Sequence, residues 1–290
     1  MEVDDEKDKL LYSRTRCIMQ ISTIIGLVLG LGSLIFGMLL KGAPLINLVN
    51  NPAAYVIIFV GTAATIFMAF PMNEVKRLGK LFKVVFVQQK LMDKKDLVGM
   101  FMEWASITRR EGLLALESKV EEIDHPFLRN GMRMIIDGND QEFVQDVLME
   151  DINATEERHR SGALLFSQAG MYAPTLGVLG AVVGLIAAMA DLTDLEKLSH
   201  AIAGAFMATL LGIFSGYVLW HPMATKLKRL SKAEVEVKLM MVEGLLSIQS
   251  GVSTIAISQK LAVFLTPTEN AKMNSEESSS GNVGEAVPSE

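Results

Sequence analysis

LLFSQAGMYAPTLGVLGAVVGLIAAMA, residues Leu164–Ala190, decides the fold, because it contains no Asp, Glu, Lys, Arg or His. A helix rises 1.5 Å per residue, so about 20 apolar residues cross the hydrocarbon core of a bilayer. A soluble domain of 290 residues buries a large core without any uncharged run of this length. Three more such runs flank this one: Ile18–Leu40, Ala53–Phe70 and Ser199–Trp220. Half of the chain is hydrophobic, and the mean hydropathy is +0.33. The chain is therefore read as an all-α membrane protein with four transmembrane helices and a helical cytoplasmic domain. The first run is too long for a signal-peptide core, and no small-x-small cleavage site follows it before Lys41, so it is expected to be retained.

Basic residues set the expected orientation. Lys7, Lys9, Arg14 and Arg16 precede the first run, fourteen Lys and Arg fall within 71–163, and seven follow Trp220. The two short loops hold only Lys41 and Lys197. By the positive-inside rule both termini and the middle segment face the cytoplasm. The expected segments are a cytoplasmic N-terminal stretch 1–17, transmembrane helices one and two in 18–70, a cytoplasmic helical domain 71–163, transmembrane helices three and four in 164–220, cytoplasmic C-terminal helices 221–266 and a disordered acidic tail 267–290. The tail is rich in Ser, Glu, Gly and Asn and lacks an apolar period. One cysteine, Cys17, permits no internal disulfide and suits a reducing face. A net charge of −6 argues against general nucleic-acid binding.

Helical spacing of apolar residues marks Asp96–Ala105, Glu111–Ile123, Phe127–Ile136, Phe143–Leu148 and Ser231–Ile248. The turn signal Asp137-Gly138-Asn139-Asp140 separates the third and fourth of these. No stretch reads as a sheet.

The four spans lack carboxylates and fixed cations; His200 and His221 at span edges, and tyrosines such as Tyr217, are the titratable groups near them. An ion path normally shows an ionisable group at membrane depth. Either this chain is a non-conducting scaffold, or a partner supplies the carboxylate and this chain supplies the walls. Two features favour walls. Small residues recur at Gly204, Ala208, Gly212 and Gly216, at Gly177, Ala181 and Gly184, and at Gly26 and Gly30. Such stripes let helices approach closely in lipid, although ordinary packing within one chain explains them equally well. Pro174 interrupts span three and frees the Gly170 carbonyl, which in lipid needs a new partner or a polar space. Thr175 and Thr209 are rare polar side chains at this depth; taken singly, each reads as structural.

Three segments together resemble the MotA/PomA family of flagellar stator proteins within the MotA/TolQ/ExbB superfamily: Gln168–Leu185, Ala201–Pro222 and Arg109-Arg-Glu-Gly-Leu-Leu-Ala-Leu-Glu117. The resemblance spans about residues 18–265 in order and is nearest to the proteins of Gram-positive bacteria. It implies a homopentamer in the bacterial cytoplasmic membrane around two copies of a MotB-like, peptidoglycan-anchored partner that carries the ion-binding Asp. Ion passage would drive torque on the rotor protein FliG. Pro174 and Pro222 match the family's coupling prolines, and Thr209 a threonine near the ion path. Ala181 stands where sodium-driven members carry another threonine. Alanine offers no oxygen to a dehydrating cation, which favours H+ as the implied ion and leaves the divalent cations used by some relatives as the alternative. Arg109 and Glu117 match rotor-facing charges, with Arg110 and Glu111 able to share the role. Without the resemblance, these charges read as a solvated helix face.

An ExbB/TolQ-type energy transducer is the nearest alternative, but those proteins usually have three spans and lack the Trp220-His-Pro222 ending. A non-conducting membrane scaffold is the other. No nucleophile–base pair, metal-ligand cluster or phosphate-binding loop suggests an enzyme, and no cofactor is implied.

Overall fold

A computed structural model of the chain describes residues 21–87, 91–190 and 194–271. The sequence expectations for residues 1–20, including Cys17 and the basic N-terminal stretch, and for 272–290 lie outside the described residues. The main helices are α1 (Ile21–Leu40), α2 (Pro52–Ala69), α3 (Leu78–Phe86), α4 (Lys94–Glu111), α5 (Pro126–Ile136), α6 (Gln141–Met189), α7 (Leu195–Gln249) and α8 (Thr254–Ala262). α1, α2, α6 and α7 are long and apolar enough to cross a membrane. The chain divides into two compact units, 1–89 with 158–230 and 90–157 with 231–290. Residues 71–89, placed by sequence in the cytoplasmic domain, thus belong to the unit that holds the spans.

Several elements differ from the sequence reading. Phe143–Leu148 is not a separate helix: it opens α6, which continues without a break into span three and places Pro174 inside 49 helical residues. Ser231–Ile248 is likewise the far part of α7. Glu111–Ile123 is not one helix. α4 ends at Glu111, Gly112 follows at φ +89°, and a 3-10 turn (Leu113–Leu116) and a short helix (Glu117–Glu121) come next. A φ of +89° is costly for any residue with a Cβ, so the glycine fixes this break. The expected disorder does not begin at Pro267, because 267–271 form a helical turn. There the Thr266 amide and hydroxyl both donate to Glu269 Oε2, each at 2.7 Å, a reciprocal cap of the helix start.

Within the membrane-spanning unit, α2 and α7 each contain a wide turn. Val56–Val60 and Ser215–Trp220 are π-helical, with the Gly61 amide donating to the Val56 carbonyl and the His221 amide to the Gly216 carbonyl, five residues back. π turns are rare and mark helices carrying an inserted residue or a local constraint. An aromatic cluster of Phe82, Phe166 and Trp220, with ring centroids 5.0–6.1 Å apart, ties α3 to α6 and α7. α1 is held sparsely, and Met38 is its one buried residue.

The other unit has a soluble-type core around Phe101, Leu116, Leu128, Met132, Met240, Met241 and Leu245. Each large apolar side chain buried there contributes about 1.5–3 kcal/mol. Asp93 caps the start of α4 by accepting from the Lys95 amide at 2.8 Å, while Arg109 and Arg110 complement the carbonyl end. Gly244 is required by contact: a Cβ there would lie 2.6 Å from the Phe101 ring. Lys238 is buried; it donates to Thr155 Oγ1 at 3.1 Å and sits 5.0 Å from the centre of the Phe127 ring. Beside it, His125 packs edge-on to Phe127, and its buried Nδ1 has no hydrogen-bond partner.

Burial lowers the His125 pKa from its ordinary value, the Lys238 charge lowers it further, and Glu234 opposes both. A base whose folded pKa is depressed takes up its proton more readily in the unfolded chain. Its contribution to stability is therefore complete above the ordinary histidine pKa and falls as pH drops through that value. The wild-type chain is expected to lose more thermal stability between pH 7.5 and 5.5 than His125→Gln, measured by unfolding of the detergent-solubilised protein. Equal losses in the two proteins would show that His125 is not titrating against the fold.

Candidate functional site

The backbones of α6 and α7 meet at glycine. A Cβ on Gly177 would lie 2.8 Å from Gly212 Cα, and one on Gly212 would lie 2.7 Å from Gly177 Cα and 2.8 Å from the Ala173 carbonyl oxygen. Gly184 continues the contact toward Ala205, 3.6 Å from its Cβ. The stripe Gly177–Gly184 and its partner Ala208–Gly216 are thus used inside one chain, the ordinary-packing alternative. Gly204 belongs elsewhere, since the Asn51 amide donates to its carbonyl at 2.8 Å and ties the start of α2 to α7. Gly30 approaches Val218, whereas Gly26 faces open space.

Pro174 sits in this contact. A Cβ on Gly216 would lie 2.6 Å from Pro174 Cγ and 2.8 Å from the Gly170 carbonyl oxygen. The carbonyl that Pro174 frees is therefore covered by the Gly216 backbone within the chain and does not open onto a polar space. A glycine Cα–H is the donor available at that range, a weak one worth roughly 0.5–1 kcal/mol. Gly216 itself lies in the π turn of α7. One turn on, the His221 ring packs against Gly170, with ring atoms 2.9–3.0 Å from where a Cβ would sit, and stacks at a tilt against Tyr217 at 5.3 Å. Pro222 follows at once and is exposed. Proline at 222 removes the bond to the Val218 carbonyl, and a wider turn just before it accommodates the ring. Pro174 and the turn preceding Pro222 are thus parts of one contact, in which Gly170, Gly216 and His221 take part. Sequence reading had singled out Gly170 and Gly216, and had noted His221 as a titratable group at a span edge without placing it in this contact.

The remaining residues are dispersed around it. Thr175 is exposed and donates back to the Met171 carbonyl at 3.2 Å; Thr209 is half-buried and donates to the Ala205 carbonyl at 3.3 Å. Both satisfy themselves within their own helix. Ala181 is half-buried, four residues beyond Gly177. Thr175 lies on an outward stripe of α6 with Met171, Val178, Val182 and Met189.

On the other unit, Arg109, Arg110, Glu111 and Glu117 are all exposed around the Gly112 break. Arg110 and Glu111 help line a cavity of about 580 Å³, together with Glu103 and Lys119; Arg109 and Glu117 do not. Lys119 pairs with Glu103, whose hydrogen bond raises the lysine pKa above its ordinary value. Lys119 thereby adds a held positive charge to the cavity that Arg110 and Glu111 line. Sequence reading missed it because its partner lies sixteen residues away.

Residues 119–240 match the model of the MotA/TolQ/ExbB proton channel family. The chain is 48% identical over 254 residues to motility protein A of Bacillus subtilis, covering 88% of this chain and 94% of that protein. It is similar to a chain of the flagellar MotAB stator complex from Bacillus subtilis, with TM-score 0.82 and 49% identity over 86% of this chain and 98% of that one. A chain of C. jejuni MotAB matches with TM-score 0.81 and 32% identity over 86% and 97%.

The contact distances order two substitutions. Gly216→Ala drives a methyl into Pro174 and the Gly170 carbonyl and is expected to cost about 1–3 kcal/mol, as overpacking does. Pro174→Ala relieves that contact and restores a helix hydrogen bond, so it should leave thermal stability near wild type. Unfolding of the purified chain in detergent distinguishes them. Equal stability of Gly216→Ala and wild type would contradict the close approach.

Proposed function

The chain belongs to the MotA family of flagellar motor stator proteins, and from that premise we propose how its geometry serves the motor: it forms the walls of an ion path whose carboxylate comes from a MotB-like partner. The observation that carries this is the absence of any Asp or Glu from all four apolar spans. Protonation of a carboxylate at membrane depth requires one to be present, and a charge there costs several kcal/mol unless it is sheltered. A second chain must bring it, and the outward stripe of α6 offers an unoccupied apolar face bearing one hydroxyl, that of Thr175.

In this reading the contact of Pro174 with Gly216 is the coupling element. Two interrupted helices meet where each has lost a backbone bond, so a change in charge on the partner's carboxylate can shift them at little cost. Pro174→Ala, which leaves the fold intact, should assemble with the partner in normal amounts yet support little swimming; normal swimming would refute the coupling role. Ala181, a methyl in place of a hydroxyl, favours H+ as the moving ion. The five-to-two assembly and contact with FliG rest on the family resemblance, and the cytoplasmic termini on the distribution of Lys and Arg, with Arg109, Arg110, Glu111 and Glu117 forming the rotor-facing charges and Pro222, Thr175 and Thr209 lying beside the path.

Proton flux tests the walls. Vesicles holding the full chain alone should match empty vesicles, and adding the partner should be required for transport. Flux from the chain alone equal to that of the complex would sink the proposal. The charged surface has its own test. Exposed pairs contribute roughly 0–1 kcal/mol each, so neutralisation should be mild and reversal severe. Arg109→Glu and Glu117→Lys should each cut swimming speed while leaving membrane levels unchanged, and a charge reversal on the rotor should restore part of it. If no rotor reversal rescues either variant, these residues do not face the rotor.

A further inference from the structure

A cavity of about 420 Å³ opens between the start of α1, the end of α3 and the π turn of α7 with the turn that follows it. Gly26, Leu27, Val218 and Leu219 give it an apolar wall, and Thr23, Tyr217 and Lys226 line it as well. The Lys226 ammonium donates to Thr23 Oγ1, and the Thr23 hydroxyl donates on to the Val85 carbonyl at 3.4 Å. An ammonium has three N–H donors, and among the described residues one acceptor serves it. No carboxylate among those residues pairs with Lys226. A half-buried cation beside an apolar wall, with no counter-charge from the described residues, favours an anion that carries its own hydrocarbon.

The location narrows the anion. The apolar run of α7 ends at Trp220, and Lys226, Lys228 and Arg229 follow. On α3, Lys80 and Lys83 are exposed. The cavity therefore straddles the level at which spans give way to basic sequence, where lipid phosphates lie. It is empty of side chains by design of the sequence: a Cβ built on Gly26 meets nothing within 4 Å, while four residues on Gly30 is closed by Val218. Its volume falls within the ~300–1,000 Å³ range of small-molecule sites.

We propose that this cavity binds one anionic phospholipid, with the phosphate on Lys226 and the upper acyl chain against Gly26, Leu27 and Leu219. The lipid then wedges α1, otherwise held by few contacts, against the π-turn end of α7. Basic pockets between spanning helices hold anionic headgroups by this combination of charge and apolar wall.

The test uses the full chain, co-expressed with its partner and reconstituted in vesicles of equal phosphatidylglycerol and phosphatidylcholine. After gentle extraction, retained lipid is quantified by mass spectrometry. Wild type should be enriched in phosphatidylglycerol about fivefold over bulk, the ratio expected for one lysine near a lipid phosphate. Lys226→Gln should lose most of that enrichment and Lys226→Arg keep it. Gly26→Leu, which fills the open wall without touching the charge, should lose it too. Loss in Lys228→Gln equal to that in Lys226→Gln would reduce the effect to general surface charge and overturn the proposal. So would retention in Gly26→Leu, or equal thermal stabilisation by inorganic phosphate alone. Enrichment that appears only after removal of residues 1–20 would give the cavity to that segment. A smaller oligomer in Gly26→Leu, without any lipid enrichment in wild type, would give it to a neighbouring copy.

Discussion

Everything in the membrane-spanning unit depends on two glycines touching. Gly177 and Gly212 bring α6 and α7 to backbone contact, with no side chain between them. In lipid there is little hydrophobic gain from pairing two apolar helices, so close van der Waals packing has to supply the attraction. Once the backbones touch, the next positions along the crossing are determined. Ala173 and Ala208 flank the contact, Gly184 meets Ala205 on one side, and Pro174 meets Gly216 on the other. A methyl at the crossing would have to push the axes apart, and the register of the proline against the π turn would change with them.

That register explains why a proline is tolerated in a 49-residue helix. A mid-helix proline costs about 3 kcal/mol or more when its freed carbonyl is stranded. Here the Gly170 oxygen abuts the Gly216 backbone, and the π turn of α7 supplies the room. The two irregularities compensate each other locally, so neither helix breaks. The same compensation leaves both helices soft at one level, since the bonds that would stiffen them are absent or widened.

The sequence made the architecture legible because its signal was long and chemical. Four uncharged runs and the distribution of lysine and arginine do not depend on neighbours, and the spans appear where the runs lie. Local periodicity did less well. Leu113, Leu114, Leu116 and Val120 have helical spacing, yet Gly112 at φ +89° breaks the helix before them, and only backbone conformation reveals that. Phe143–Leu148 looked short because polar residues follow it, but polarity marks where a helix leaves the lipid and not where it ends. The site was legible as a set of residues and not as an arrangement. Pro174 and Pro222 stand out by type, whereas the partner of the Gly170 carbonyl lies across a helix crossing that no spacing rule encodes. The two threonines, rare polar side chains at that depth, both bond back to their own helix.

A protein that must move in a membrane meets a conflict between deformability and desolvation. Mobile polar groups ease movement but cost several kcal/mol each when exposed to hydrocarbon. This chain avoids that cost by placing its irregularities where they cover each other. The Gly170 carbonyl, Pro174 and the π turn cluster along the α6–α7 contact, and the outward stripe of α6 carries only aliphatic side chains and one self-satisfied hydroxyl. The surface presented to other helices is therefore almost without polar demand of its own. Charge introduced by a second chain would find no fixed counter-charge at that depth to hold it in one position. In the function proposed above, a smooth wall with a soft line behind it would let two chains shift against each other, and a salt bridge from this chain would instead fix the partner in place.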